Sequence, residues 1–502
     1  MVNNNKSRGR SRKETISPLP LFSIDDCPES VPAAGYRNGT SLNNAGSNGN
    51  YWSSTPNSSN TNNAYNLNFN SSNHNVNNNN RNNGHTVRPV SELSAHHATD
   101  PAACHFSITR EELLMDLYKA YKDARRHKRG KQYQLKFEFN LEDNLIALRD
   151  DLYNRTYKPL PSTCFIIHDP KMREVFAAAF RDRIVHHLFY NYTHVLFERT
   201  FIHDSYSCIK GRGTHYGIER LRHHIRSVSA GYSKPCYVLQ IDMRGYFMSI
   251  DRKRLLSICR ESLESMRTHE SDVTDVSWCE KIDYAFVDYL LEGIATLDPT
   301  DGCIMLGSKE EWGKLPDEKS ILHAKAHCGL PIGNLSSQLF SNVYMNEFDQ
   351  FVKHKLRCRH YGRYVDDAYI VADNRAYLKS LLTPITEFLK DELGLELNVS
   401  KTRITDARHG VEFLGAYILP FRTYISHGSL KRMKQKLSRL PKDSARGTQS
   451  TVNSLLGVLS HYDSYCLRRV LFGYRSRLNA YGRFSRDWLT FTPYGKCQHT
   501  KR

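Results

Sequence analysis

The stretch His360–Asp373, HYGRYVDDAYIVAD, sets two adjacent carboxylates, Asp366 and Asp367, between two short apolar arms. Apolar arms that close on a polar pair predict a β-hairpin with both acids at its tip. A second apolar run, CYVLQIDM from Cys236, also ends in an acid, Asp242. Three carboxylates on neighbouring strands form a hard oxygen-donor site able to hold two divalent ions about 4 Å apart. Without a cation their charges would repel strongly. A lone Asp-Asp pair is more often a turn former, so the pair gains meaning only together with Asp242 and the segments around it.

Charge narrows the partner. The 502 residues include 70 Lys and Arg against 52 Asp and Glu, a formal charge of +18, which favours a polyanion over an acidic protein or a small metabolite. The 12 cysteines lie singly, without C-x-x-C pairs, which argues against a zinc site and a disulfide framework and points to a reducing cytosol. The opening MVNNNKSRGRSRK is basic but leads into no apolar stretch. No run approaches the ~18 apolar residues of a membrane span, so the expected location is cytoplasmic, with no membrane partner.

Along the chain, Tyr51–Val90 is so rich in asparagine that residues 1–106 are expected to be low-complexity and without structure. Order is predicted to begin at Thr109, where TREE offers a capping box to a helix carrying Leu113, Leu114, Leu117, Tyr118 and Tyr121. QYQLKFEFN alternates and predicts a short strand, followed by an amphipathic helix. KMREVFAAAFRDRIVHHLFYNYTHVLF predicts one long helical stretch. The pairs His186-His187 and His223-His224 read as surface or RNA-facing residues, with Asp182 and Glu219 as helix-surface partners four residues earlier. From about Ala416 the pattern is basic, aromatic and helical.

In chain order, IDMRGYF, GLPIGNLSSQ, YVDD, LNVSKT and VEFLG resemble the palm motifs of reverse transcriptases, and with flanking segments the resemblance covers about residues 107–490. It implies an α+β right-hand polymerase, with fingers over 107–235, an antiparallel-sheet palm over 236–415, and a short helical thumb and tail over 416–502. By that resemblance Asp242, Asp366, Asp367 and the backbone of Met243 bind two Mg²⁺, with Mn²⁺ as a substitute. Lys401 would help protonate pyrophosphate, or is simply a solvent-facing lysine. Phe247 would lie under the sugar and reject a 2′-hydroxyl, or is a core aromatic at the same turn. Phe413, Leu414 and Gly415 match the primer-grip hairpin, and Asn334 and Gln338 would face template and primer. Ile332, Gly333, Arg183, Lys210 and Arg212 are candidates for contacting the incoming dNTP. Relatives usually show an arginine where Ile209 stands, which is a departure.

The details of GLPIGNLSSQ are similar to the reverse transcriptases of diversity-generating retroelements, and SYSCIKGRGTH, WGKLPDEKS and VNSLLGVLSHYDSYCLRR point the same way. In that family the enzyme copies a template-repeat RNA with errors at adenines, and the cDNA replaces part of a target gene by mutagenic retrohoming. A small basic accessory protein, the variability determinant, usually a pentamer, is the implied partner. An apolar Ile332 cannot supply the hydrogen bond of a polar side chain at this place. Such a bond is worth about 1–3 kcal/mol, or roughly 10–100-fold in selectivity. The plainer reading is that Ile332 fills an apolar pocket.

The segment from about Gly35 to Val90 resembles the end of the lectin-like variable proteins that these elements diversify. Asparagine codons are AAC and AAT, so the tract reads as a translated, adenine-rich template repeat whose function lies in the RNA. The alternative is a polar arm with its own binding role. Two other readings of the whole chain stay open: a group II intron-like or defence-associated reverse transcriptase, and an RNA-binding scaffold with a vestigial site.

Overall fold

A computed structural model describes residues 106–494, except 127, 129, 169–170, 269–281, 441–444 and 474–475, together with five strands between Tyr36 and Asn80. The chain separates into two units, Met1–Ala102 and Ala103–Arg502.

The first unit departs from the expectation of a segment without structure. Strands Asn48–Pro56, Asn63–Asn70 and His74–Asn80 pair as an antiparallel sheet, and Tyr36–Asn38 pairs antiparallel with Ser41–Asn43 as a separate two-stranded ladder. Tyr51, Leu67 and Val76 occupy one cross-strand row. The physical signal is the period-two placement of Tyr65, Leu67 and Phe69, which the asparagine composition hides.

In the second unit the Arg110–Ala124 helix starts at the expected capping box: the Thr109 side chain accepts from the Glu112 amide, and the Glu112 carboxylate accepts from the Thr109 amide at 3.0 Å. Residues Gln132–Glu138, expected as a strand, are instead a helix. Tertiary contacts decide it. Buried Gln134 donates to Glu138 one turn on at 2.8 Å, and Phe137 packs edge-on to Phe180 with ring centroids 5.4 Å apart. The expected long helix is also divided: Arg173–Ala177 is a strand paired with Thr163–Ile167, and the helix runs only over Phe180–Thr200. Glu174 anchors that strand, buried and accepting from Ser320 and from the Ile321 amide.

The central sheet has four antiparallel strands in the order Tyr361–Tyr364, Asp367–Ala372, Tyr237–Ile241, Arg403–Asp406. Its side chains alternate between two cores. Leu239, Ile241, Ala368 and Ile370 join Leu339, Phe340 and Val343 of the Leu335–Gln350 helix. Val238, Tyr369 and Val371 join Ile218, Leu221 and Ile225 of the Thr214–Val228 helix. Cover on both faces explains why these strands are almost continuously apolar in sequence.

After the sheet, Val411–Phe413, Ala416–Leu419 and Arg422–Ile425 form an antiparallel meander, so the residues just past Ala416 are strands rather than helix. A boundary at 415/416 would cut the Phe413–Ala416 pair. Helices His427–Ser438, Ala445–Leu459 and Tyr465–Phe472 follow, over a separate core that includes Val452, Leu456, Phe472 and Phe491. Among the described residues, no helix is long and apolar enough to cross a membrane.

Candidate active site

The sheet brings the three acids to one end. Ala368 lies opposite Ile241, so the next residues out, Asp242 and Asp367, continue the same antiparallel row. Tyr364 pairs with Asp367, which leaves Val365 and Asp366 as a two-residue turn. Lys401 reaches across to Asp242, its Nζ 2.8 Å from each carboxylate oxygen. Asn398 adds a side-chain bond to Asp242 Oδ1 at 2.9 Å and a backbone bond to the Asp242 carbonyl at 2.8 Å.

Electrostatics ties the group together. Burial, reinforced by the charge on Asp242, raises the Asp366 carboxyl above the ordinary range. Burial and the charges of Asp366 and Asp242 push Asp367 up to about 7. Burial alone would lower Lys401, but its bond with Asp242 and the charges of Asp366 and Asp367 outweigh that and raise it. Among the described residues, no three His, Cys, Asp or Glu side chains are already gathered as a metal site. The donor chemistry nevertheless fits a hard divalent cation. Two of the acids are driven toward their protonated forms by burial and repulsion, and the third is already paired with the Lys401 ammonium.

Met243, just past Asp242, pairs with Leu397 in a two-residue ladder. Gly245 then takes a left-handed conformation, φ 54°, and turns the chain into the short Tyr246–Ser249 helix that carries Phe247. Phe247 is half-buried, and its carbonyl accepts from the Leu330 amide at 2.7 Å, which ties it to the segment leading into Ile332. The Ile332 carbonyl in turn accepts from the Phe176 amide at 2.9 Å. Gly333 has φ 131°, and a Cβ there would stand 2.8 Å from Val175 Cγ1 and 2.9 Å from the Phe176 carbonyl oxygen. Asn334 is buried, its Oδ1 accepting from the Ala178 amide at 3.2 Å. The whole Ile332–Asn334 turn is therefore docked on the Arg173–Ala177 strand.

Gln338 is exposed and lines a cleft of about 490 Å³ with Gly333, Asn334, Arg126, Lys128 and Arg183. On the other side of the sheet, Phe413 packs edge-on to Tyr369 at 5.2 Å. Leu414 and Gly415, at φ 47° and 83°, make the tight turn into Ala416.

The three cations that the sequence offered for the nucleotide lie in different settings. Arg183 bonds the Ala178 carbonyl at 2.8 Å and lies over the Tyr133 ring. Arg212 bonds the Ile202 and Ser205 carbonyls at 3.2 and 3.0 Å, a loop-holding arrangement. Lys210 is exposed, whereas Ile209 is buried in the main core. The cations that act on Asp366 and Asp367 besides Lys401 are Arg173 and Lys171 respectively. Sequence reading missed both, because KMREV was taken as helix; a basic residue opening a strand was the available signal. Two of the four histidines differ from a surface reading, while His223 is exposed and His187 half-buried. His186 is buried and bonded to Ser336 Oγ at 2.7 Å, and His224 is buried beside Asp204 and Tyr369. Asp182 is buried as well, accepting from Tyr157 and the Leu160 amide.

A family model described as reverse transcriptase (RNA-dependent DNA polymerase) matches residues 168–418. A second, described as a domain of unknown function, matches residues 25–90. Protein YkfC of Escherichia coli (strain K12) is 24% identical over 346 residues, covering 62% of this chain and 79% of that protein. Among solved structures, apo telomerase from Candida tropicalis aligns with a TM-score of 0.39 and 12% identity, over 62% of this chain and 56% of that one. Telomerase from Candida albicans in complex with a fragment of telomeric RNA aligns with a TM-score of 0.36 and 10% identity, over 61% and 56%. The chain thus spans just over half the length of these telomerase chains. The first match takes in half of the 502 residues, including all three acids and the Ile332 turn, and the chain belongs to the reverse transcriptase (RNA-dependent DNA polymerase) family.

Proposed function

We propose that this polymerase copies a template-repeat RNA into cDNA with errors concentrated at adenines, for diversification of a target gene by mutagenic retrohoming. The observation that carries the reading is the place of Ile332. Its turn is held by the Phe176 amide, on the strand that opens at Arg173, and the charge of Arg173 acts on Asp366, which supports a role for this apolar residue beside the incoming nucleotide. A side chain there without a hydrogen-bonding group loses one check on base-pair geometry.

The other roles belong to the same reading. Asp242, Asp366, Asp367 and the Met243 carbonyl would hold two Mg²⁺, or Mn²⁺, which when bound lower the pKa of the primer 3′-hydroxyl and neutralise pyrophosphate. Lys401 supplies a proton to the leaving pyrophosphate, and Lys171 and Arg173 carry positive charge toward the triphosphate. Phe247 closes the space beneath the sugar and selects dNTPs. Asn334 and Gln338 line the cleft beside Arg126, Lys128 and Arg183, whose cations suit an RNA backbone. Phe413, Leu414 and Gly415 support the primer end, in a right-hand arrangement of fingers, palm and thumb. The variability determinant protein would be the partner, and the cytoplasm of a host cell the place of work.

Replacing Ile332 with Gln is expected to lower misincorporation opposite template adenines by about 10-fold, with little change opposite the other bases. Sequencing cDNA from wild type and I332Q on one RNA template checks it, and an unchanged error spectrum would sink the role of Ile332. The 35–90 segment is, on this reading, the template repeat in translation. Its mark is a second genomic copy differing at adenines, and flanking DNA without such a copy removes the reading.

A further inference from the structure

The turn that presents Asp366 is gripped from within by groups that the functional reading leaves without a role. Val365, directly before Asp366, has φ 56°, a left-handed conformation that a β-branched residue rarely adopts. Both of its peptide groups are held. Its N–H donates to Ser207 Oγ at 3.2 Å, and its carbonyl accepts from Arg363 Nη1 at 2.9 Å. That carbonyl belongs to the peptide plane shared with Asp366, so its direction sets the direction in which Asp366 leaves the backbone.

Each holder is itself fixed. Arg363 is fully buried and bidentate with Asp349, through Nε to Oδ1 at 2.8 Å and Nη2 to Oδ2 at 2.7 Å. Ser207 Oγ donates to Asn342 Oδ1 at 2.9 Å, and Asn342 Nδ2 returns a bond to the Ser207 carbonyl at 2.8 Å. The segment bearing Ser207 runs alongside the first arm of the hairpin. The Arg363 amide donates to the Asp204 carbonyl at 2.9 Å, and the Tyr206 amide donates to the Arg363 carbonyl at 3.0 Å. The SYS of SYSCIKGRG is thus a neighbour of the hairpin.

We propose that Ser207 and Arg363, braced by Asn342 and Asp349, are positioning residues that hold the strained Val365 turn and thereby aim Asp366 at its cation. The proposal rests on the reading of Asp366 as a metal-binding carboxylate. A network that only stabilised the fold would have no need to seize both peptide groups of the one left-handed residue in the turn.

Ser207→Ala removes one bond to the turn and leaves the buried ion pair in place. The expected result is a nearly unchanged melting temperature, Mn²⁺ binding to the free protein weakened several-fold by electron paramagnetic resonance, and kcat for single-nucleotide addition lowered by about 10-fold. Adding Val365→Gly should recover part of both losses, because glycine adopts this φ without strain. Mn²⁺ affinity and kcat equal to wild type in Ser207→Ala overturn the proposal, as does a loss that Val365→Gly leaves untouched. Asp366→Asn is the reference. If it weakens Mn²⁺ binding and Ser207→Ala does not, the positioning role alone is wrong. If neither does, the assignment of Asp366 fails and the proposal fails with it.

Discussion

Replacing Asp366 with Asn is expected to lower primer extension on an RNA template by on the order of 1,000-fold, while the protein remains folded. The rate estimate follows from losing several kcal/mol of charge stabilisation at the reacting phosphate, at 1.36 kcal/mol per factor of ten. The stability expectation follows from the cluster. Asp366 is raised by burial and by Asp242, so its charged form is a burden on the fold in the absence of a cation, and the neutral amide relieves it. Single-nucleotide extension with Mg²⁺ and dNTPs, alongside thermal unfolding, measures both. Wild-type activity in D366N would refute the assignment of the acids. Loss of activity accompanied by unfolding would show instead that Asp366 serves structure.

The largest effect on stability is expected at Asp349. Its carboxylate and the Arg363 guanidinium are both 0% exposed, and Tyr361 also donates to it at 2.6 Å. Asp349→Ala leaves a guanidinium buried without its counter-charge, which should cost about 3–5 kcal/mol. At roughly 2–4 °C per kcal/mol for large domains, the melting temperature should fall by about 10 °C. Replacing both partners with apolar residues, Asp349→Leu with Arg363→Met, should cost much less, since no uncompensated charge remains. Denaturant unfolding of the single and double variants checks the pair. A double variant as unstable as Asp349→Ala would mean that packing, rather than the buried charge, dominates.

The two effects meet in one feature. Arg363 spends one face of its guanidinium on Asp349 and one N–H on the Val365 carbonyl, so a buried ion pair in the core continues directly into the turn that carries Asp366. A surface pair could not do this, because solvent would compete for the carbonyl and the side chains would be free to move.

What was legible in the sequence was local or periodic. The capping box at Thr109 needs only residues three apart, and the 110–124 helix begins there. The arms of HYGRYVDDAYIVAD are apolar on either side of their acids, and they pair as Tyr361–Tyr364 with Asp367–Ala372. Where two periods competed, local reading failed. QYQLKFEF alternates like a strand, yet the bond from Gln134 to Glu138 and the packing of Phe137 on Phe180 make it a helix. In the asparagine-rich region the error ran the other way. Composition suggested no structure, while the alternation of Tyr65, Leu67 and Phe69 lies within a strand of a three-stranded sheet.

By itself, then, the sequence determined which residue types stand at which strand ends: a carboxylate after CYVLQI and two after YV, in an order shared with the reverse transcriptase family. It did so because strand pattern and chain order are properties of neighbours along the backbone. Only the tertiary structure decided which cations face those acids, which histidines and acids are interior, and what holds the turn. Lys171 and Arg173 act on the hairpin from about 195 residues upstream in the chain, and Ser207 grips Val365 across 158. Contacts at such separations are fixed by how strands and helices bury their apolar faces together, which no local stretch of sequence encodes.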